Sequence, residues 1–204
     1  MISEKHKATF IHIPKTGGST ISSVLSRNEF KSLQERRVGC ECQVLDPRLW
    51  TIKHARMHEL DMKHQNFFCF AFVRNPWDLM VSSYNWWVQN TKANIRKKYG
   101  HILKQKGFNF FIKTHSSFIN ECYHQNNGQL HWLNDKINFI GKFENFQADF
   151  DIVCEKIGIG HQKLPHLNKT KRKHYASYYD DETKQIIAAA FSRDIQRFGY
   201  KFGE

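Results

Sequence analysis

The chain has 204 residues, with Lys+Arg 31 against Asp+Glu 19 for a net charge of +12, hydrophobic residues at 40% and 17 Phe. That size fits one ordinary domain, the apolar content supports a packed core rather than disorder, and five cysteines in so long a chain do not make a disulfide scaffold. The longest unbroken apolar run, residues 67–73, is far below the roughly 18 residues that span a bilayer. The opening MISEKHKATF carries no apolar stretch before a small-residue cleavage site, so the expectation is a cytoplasmic protein with neither leader nor membrane span.

In chain order, residues 8–13 (ATFIHI) are β-branched and aromatic, the composition of a buried strand. Pro14 ends it, Lys15-Thr-Gly-Gly18 is a loop, and Ser19 or Thr20 is placed to cap a helix bearing Ile21, Val24 and Leu25. Residues 28–49 have no clear period and hold Cys40 and Cys42, whose spacing does not match a typical structural zinc site. A short strand is expected at 51–54. The continuous apolar run 67–74 (FFCFAFVR) predicts a central strand covered on both faces. Pro76 then suits the first turn of a helix with Trp77, Met80, Val81, Tyr84 and Val88 on one stripe.

Residues 91–134 are basic, aromatic and helical in tone, and predict a lobe. A further strand is expected at 137–143, then a helix with Phe146, Phe150, Val153, Cys154 and Ile157 inward, ending at Gly158. A basic loop, 161–173, precedes a last helix over 181–198 that buries Ile187, Ala190, Phe191, Ile195 and Phe198. Strands alternating with helices predict one α/β domain over 1–204: a three-layer, P-loop-like arrangement with a central, mainly parallel sheet flanked by helices, plus the helical lobe.

Two strand-turn-helix junctions carry the chemistry. In Pro14-Lys-Thr-Gly-Gly-Ser-Thr20, glycines admit an anion close to backbone amides, the helix start adds partial positive charge, and Lys15 adds a full one. The lysine precedes the glycines, so the ATP-type P-loop does not fit; standing alone, Gly-Gly after a strand also serves as a plain tight turn. In the second junction Arg74 closes the strand and Ser82 lies within two turns of the helix start, so guanidinium and hydroxyl can share one phosphate; a structural pairing of Arg74 with Asp78 is the alternative.

Together, the lysine-first glycine turn and the later Phe-x-Arg-Asn-Pro-x5-Ser-x-Tyr run (Phe72 to Tyr84) resemble the sulfotransferases that use 3′-phosphoadenosine-5′-phosphosulfate (PAPS). The likeness is closer to the carbohydrate-type family 2, with its heparan sulfate 2-O branch, and continues through Phe139-Ile-Gly-Lys-Phe-Glu-Asn145, Leu164 to Lys169, Tyr178-Tyr179 and Phe198-Gly-Tyr200. The resemblance implies transfer of a sulfuryl group from PAPS to an acceptor hydroxyl, most naturally of a carbohydrate, leaving PAP and using no metal. It implies that Lys15, Thr16, Gly17, Gly18, Ser19 and Thr20 hold the 5′-phosphosulfate, that Arg74 and Ser82 hold the 3′-phosphate, and that Lys169 or Lys171 closes over the nucleotide. Lys15 is the candidate for the catalytic cation that such a transfer needs.

Among twelve histidines, His54 falls where the 2-O branch places its base, and imidazole with an ordinary pKa near about 6.5 suits the task. His12 and Glu144 compete with it. Rings of Tyr84, Trp86 and Trp87 divide between core packing and an acceptor cleft. The excess positive charge fits an anionic donor and acceptor, with no nucleic-acid module in sight. The competing function is a basic polyanion- or nucleic-acid-binding domain on a nucleotide-binding fold. A P-loop kinase is disfavoured by the missing Gly-Lys-Ser/Thr.

Overall fold

In the computed structural model, the described residues are 1–31, 54–89, 94–114, 128–165 and 172–204. They divide into two compact units, one of residues 1–74 with 129–168 and one of 75–128 with 169–204.

The first unit holds a four-stranded sheet ordered β1 (Ile2–Ser3), β2 (Ala8–Ile11), β3 (Phe68–Val73), β4 (Phe139–Lys142). β1 runs antiparallel to β2, while β2, β3 and β4 are parallel, with Phe10 opposite Phe70 and Ala71 opposite Ile140. β3 is central, which accounts for its unbroken apolar sequence: a strand covered on both faces needs no polar alternation. On one face, Ala8, Phe10, Phe70 and Phe72 form a buried core with Ile21, Val24 and Leu25 of α1 (Gly18–Leu25) and Phe150, Val153, Cys154 and Ile157 of the helix Phe146–Ile157. The opposite face bears Thr9 and Cys69. The Thr9 hydroxyl donates to the His64 carbonyl and the Cys69 thiol to the Gln65 carbonyl, both in the short helix α2 (Met62–Gln65). These layers answer the α/β expectation for this unit.

Each strand is shorter than its apolar run. Parallel pairing of β2 stops at Ile11 opposite Ala71, so His12 and Ile13, read as strand, already belong to the turn. The strand expected at 51–54 lies outside the described residues except for His54, which sits in a turn. Cys40 and Cys42 also lie outside them.

The second unit is helical: α3 (Pro76–Gln89), α4 (Asn94–Thr114), α6 (Asp181–Ala190) and α7 (Ser192–Phe198), the helix Phe146–Ile157 of the first unit being α5. α3 starts at Pro76 as read. Its buried positions are Trp77, Leu79, Met80, Val81 and Trp87, whereas Tyr84 and Val88 are half-buried. The Tyr84 ring packs at 5.5 Å from Phe108 and 5.6 Å from Phe111, and Phe108 lies 4.8 Å from Tyr179. This aromatic core unites α3, α4 and the turn Tyr175–Tyr178, so the helical unit extends well beyond the 91–134 stretch marked by composition.

The single C-terminal helix expected over 181–198 is two. At Phe191 the backbone leaves helical geometry (φ −112°, ψ 23°) while its ring is fully buried, and α7 starts afresh from it. Ile187 is buried as expected, but Ala190, Ile195 and Phe198 are only half-buried; Asp194 is the fully buried position of α7. No helix among the described residues is long and apolar enough to cross a membrane.

Candidate active site

The chemistry-bearing residues of the first unit converge on the carboxyl ends of its parallel strands, the edge where open α/β sheets place their ligands. His12 to Thr20 follow β2, Arg74 follows β3, and Phe143 follows β4.

The first turn is held from within. Thr16 is fully buried and its hydroxyl donates to the Ile13 carbonyl at 3.0 Å, so its side chain shapes the loop. Gly17 adopts a left-handed conformation (φ 86°) and is the cap of α1, which begins at Gly18. Ser19 and Thr20, expected as caps, therefore lie inside the first helical turn. The Thr20 amide donates to the Gly17 carbonyl at 2.9 Å, and Ser19 is exposed. The cap residue of this helix, Gly17, has no side chain to offer the first amides. Its leading amides thus present partial positive charge at a turn that also carries Lys15.

The glycines are required for a reason that sequence alone does not reveal. A Cβ on Gly17 would stand 2.5 Å from the Phe146 ring and 3.1 Å from Phe143, and one on Gly18 would land on the His12 imidazole. Aromatic rings of this protein fill the space that the missing side chains leave, and press the turn into shape.

Arg74 is buried and reaches back to this turn. Its Nη1 donates to the Lys15 carbonyl at 3.0 Å, and its guanidinium lies 3.9 Å above the Phe143 ring centre. Its backbone is clamped by Gln129, fully buried, whose Oε1 accepts from the Arg74 amide and whose Nε2 donates to the Arg74 carbonyl, both at 2.8 Å. Two cationic groups are thereby held together in partly desolvated surroundings. Burial first, and the Arg74 charge second, pull the Lys15 ammonium from its ordinary 10.5 down to about 7. An anion beside this pair would counter the Arg74 charge and draw the Lys15 pKa back up.

His54 lies at the same edge. Its Nδ1 is 2.7 Å from the His12 carbonyl oxygen, and because a carbonyl only accepts, Nδ1 carries a proton, which in the neutral ring leaves the lone pair on Nε2. The two imidazoles meet edge-on at 4.5 Å, and Trp132 Nε1 donates to the His54 carbonyl at 3.0 Å. Arg56, two residues on, is fixed by Glu59 (Nε to Oε1, 2.6 Å) and donates to His131 Nε2 at 3.0 Å, which steadies the segment that carries His54.

Of the other expected site residues, Ser82 lies half-buried on α3 in the second unit, and Lys169 and Lys171 lie outside the described residues. Asp78, weighed as a structural partner of Arg74, pairs with Arg172. Glu144 is exposed in the turn Phe143–Asn145, and His12 is 5% exposed. Among the described residues no cluster of His, Cys, Asp or Glu suits a metal ion. Sequence reading missed Gln129, Phe143 and Phe146 as parts of the site. Phe143 stands in the segment that carries the resemblance and Phe146 directly after it, read as a core position of the next helix, whereas Gln129 has no local signal.

Comparison with known proteins agrees with this geometry. The profile described as "Sulfotransferase family" matches residues 1–201. Carbohydrate sulfotransferase 10 of Xenopus laevis is 22% identical over 98% of this chain and 66% of its own length. Carbohydrate sulfotransferase 11 of Mus musculus is 22% identical over 84% of this chain and 56% of its own. The chain thus spans just under two thirds of the first relative and little over half of the second. Neither is named as a heparan sulfate 2-O enzyme, so what they support is the broader carbohydrate type. With the profile covering nearly every residue, and the lysine-first turn and its arginine at one sheet edge, the chain belongs to the sulfotransferase family.

Proposed function

We propose that this protein transfers a sulfuryl group from PAPS to a hydroxyl of a carbohydrate acceptor, with His54 as the base. The observation that carries the reading is the pairing, on one strand edge, of a cationic turn (Lys15 with Arg74) and an imidazole whose Nε2 is left with its lone pair. The carbohydrate class follows the names of the relatives, and the donor follows the family likeness.

The residues present suit such a donor. An α1 start capped by glycine, a half-buried lysine and a buried arginine match an anionic phosphosulfate in charge. PAPS, when bound, supplies the sulfuryl group and a phosphate leaving group. Lys15 and the first amides of α1 would hold that end and offset the charge that grows on the leaving oxygen. Arg74, by its likeness to the family, would take the 3′-phosphate together with Ser82. His54 Nε2 takes the acceptor hydroxyl proton, and the resulting imidazolium still donates from Nδ1 to the His12 carbonyl, which stabilises the charged form.

The test has two arms. PAP without magnesium should raise the melting temperature more than ATP or a generic polyanion does, since a ligand of the folded state stabilises by mass action. His54→Ala should lower kcat by about 10²–10⁴-fold while PAP affinity stays within about two-fold, and should abolish the acidic limb of kcat/KM against pH. An equal response to any polyanion would favour the binding-domain reading. A variant that keeps both turnover and limb would remove His54 from the mechanism.

A further inference from the structure

We infer that His12 is the positioning residue for His54, acting through the shape of its ring and through its carbonyl rather than by carrying a proton itself. The inference rests on the reading of His54 as base, and it turns a candidate for the same role into that base's support.

Three contacts assign this part. The His12 carbonyl accepts from His54 Nδ1 at 2.7 Å, which selects one tautomer. The His12 ring meets the His54 ring edge-on at 4.5 Å, which sets the direction in which Nε2 points. On another side, the same ring occupies the space a Cβ at Gly18 would need, and it stacks at 5.7 Å on Phe10 of the sheet core. His12 is therefore a wedge between the first residue of α1 and the base, with only 5% of its surface exposed. A ring so enclosed is poorly placed to meet an acceptor hydroxyl, and well placed to keep its neighbour still.

One consequence is that Gly18 acts on the base at a distance. A methyl group there must push the His12 ring, and with it His54, although Gly18 itself belongs to the nucleotide turn. The two positions should be coupled, as residues in direct contact usually are.

The experiment compares His12→Ala, His12→Phe, Gly18→Ala and the double variant His12→Ala/Gly18→Ala. Each is read by steady-state kinetics and by nitrogen-15 spectra of the His54 imidazole, which report the tautomer without reference to turnover. His12→Ala keeps the backbone carbonyl but removes the ring that holds His54 against it, so it should lower kcat at least ten-fold with the KM for donor little changed, and the loosened Nδ1 contact should leave His54 in mixed tautomers. His12→Phe, which keeps a ring of similar bulk and the same backbone carbonyl, should restore kcat to within about three-fold of the parent and restore the single Nδ1–H tautomer. Gly18→Ala should disturb the His54 spectrum in the parent and do so far less once His12 is alanine. If His12→Phe is as impaired as His12→Ala, the ring nitrogens matter and the positioning role is overturned. If Gly18→Ala leaves the His54 spectrum unmoved, the wedge is overturned. Should His54→Ala prove active while the spectra behave as expected, the base assignment fails but the His12–His54 coupling stands.

Discussion

The chain makes two strand-turn-helix junctions, and they spend their helix starts differently. After β2, the cap is a left-handed glycine with no side chain to offer, and aromatic rings support the turn from behind. After β3, Asn75 accepts the Trp77 amide on its Oδ1 at 3.1 Å and the Leu79 amide on its carbonyl at 2.8 Å, while its Nδ2 donates to the Tyr175 hydroxyl and the Lys201 carbonyl. The α3 start is thus served by the side chain of its own cap residue, whereas the glycine that caps α1 has none to offer. A helix N-terminus counts as an anion site only where its own chain does not already cap it. By that measure Arg74 contributes its guanidinium, extended toward the Lys15 turn, more than the junction in which it stands.

Substitutions that separate the two junctions should follow this division. Lys15→Ala should have the largest effect after loss of the base: roughly 10²-fold or more in turnover with the fold intact, because the side chain fills no core volume. Circular dichroism and kcat together check it. The depressed Lys15 pKa adds a pH signature. In the free protein the ammonium is lost as pH rises through about 7, while a bound anion would hold the proton on. PAP affinity should therefore fall as pH rises above 7, with proton uptake on binding measurable by calorimetry in buffers of different ionisation enthalpy. Lys15→Arg, which stays charged, should flatten that slope.

Arg74→Ala comes next. Losing a charge-assisted contact is worth about 1.5–3 kcal/mol, or ten-fold and more in PAP affinity. Adenosine 5′-phosphosulfate, without a 3′-phosphate, should be affected less. Equal weakening of both would show that Arg74 serves the Lys15 turn alone, and would leave the 3′-phosphate to other residues. The smallest expected change is Asn75→Ala. Removing a helix cap costs about 1 kcal/mol of stability, visible in urea denaturation, and PAP affinity should stay close to that of the parent. A large loss of affinity there would erase the distinction between the junctions.

Much of this was legible in the sequence because it is written locally. The run FFCFAFV announces a strand covered on both faces, Pro76 a helix start, and the order Lys15-Thr-Gly-Gly18 a turn between strand and helix. Other features depend on residues distant in the chain. Gln129 stands 55 residues from the Arg74 backbone it clamps, and one glutamine beside a glycine has no periodicity to betray it. That Phe146 and His12 crowd the two glycines is a matter of three-dimensional packing. The capping of α1 was misplaced because hydroxyl residues at 19 and 20 look like caps, yet the backbone reverses one step earlier, at Gly17. At Phe191, burial of one ring outweighs helix propensity, a competition between tertiary packing and local preference that no pattern within 181–198 records.

Lys15 itself sits in left-handed backbone space, at φ 66°. Glycine would occupy that conformation without penalty, whereas a lysine there costs on the order of 1 kcal/mol or more. The turn therefore carries a thermodynamic handicap, which the proposed role of the Lys15 ammonium would account for. Lys15→Gly should yield a protein that melts about 2–4 °C higher and transfers almost nothing. Should both outcomes be seen, the optimum for endurance and the optimum for the proposed transfer part company at a single backbone angle.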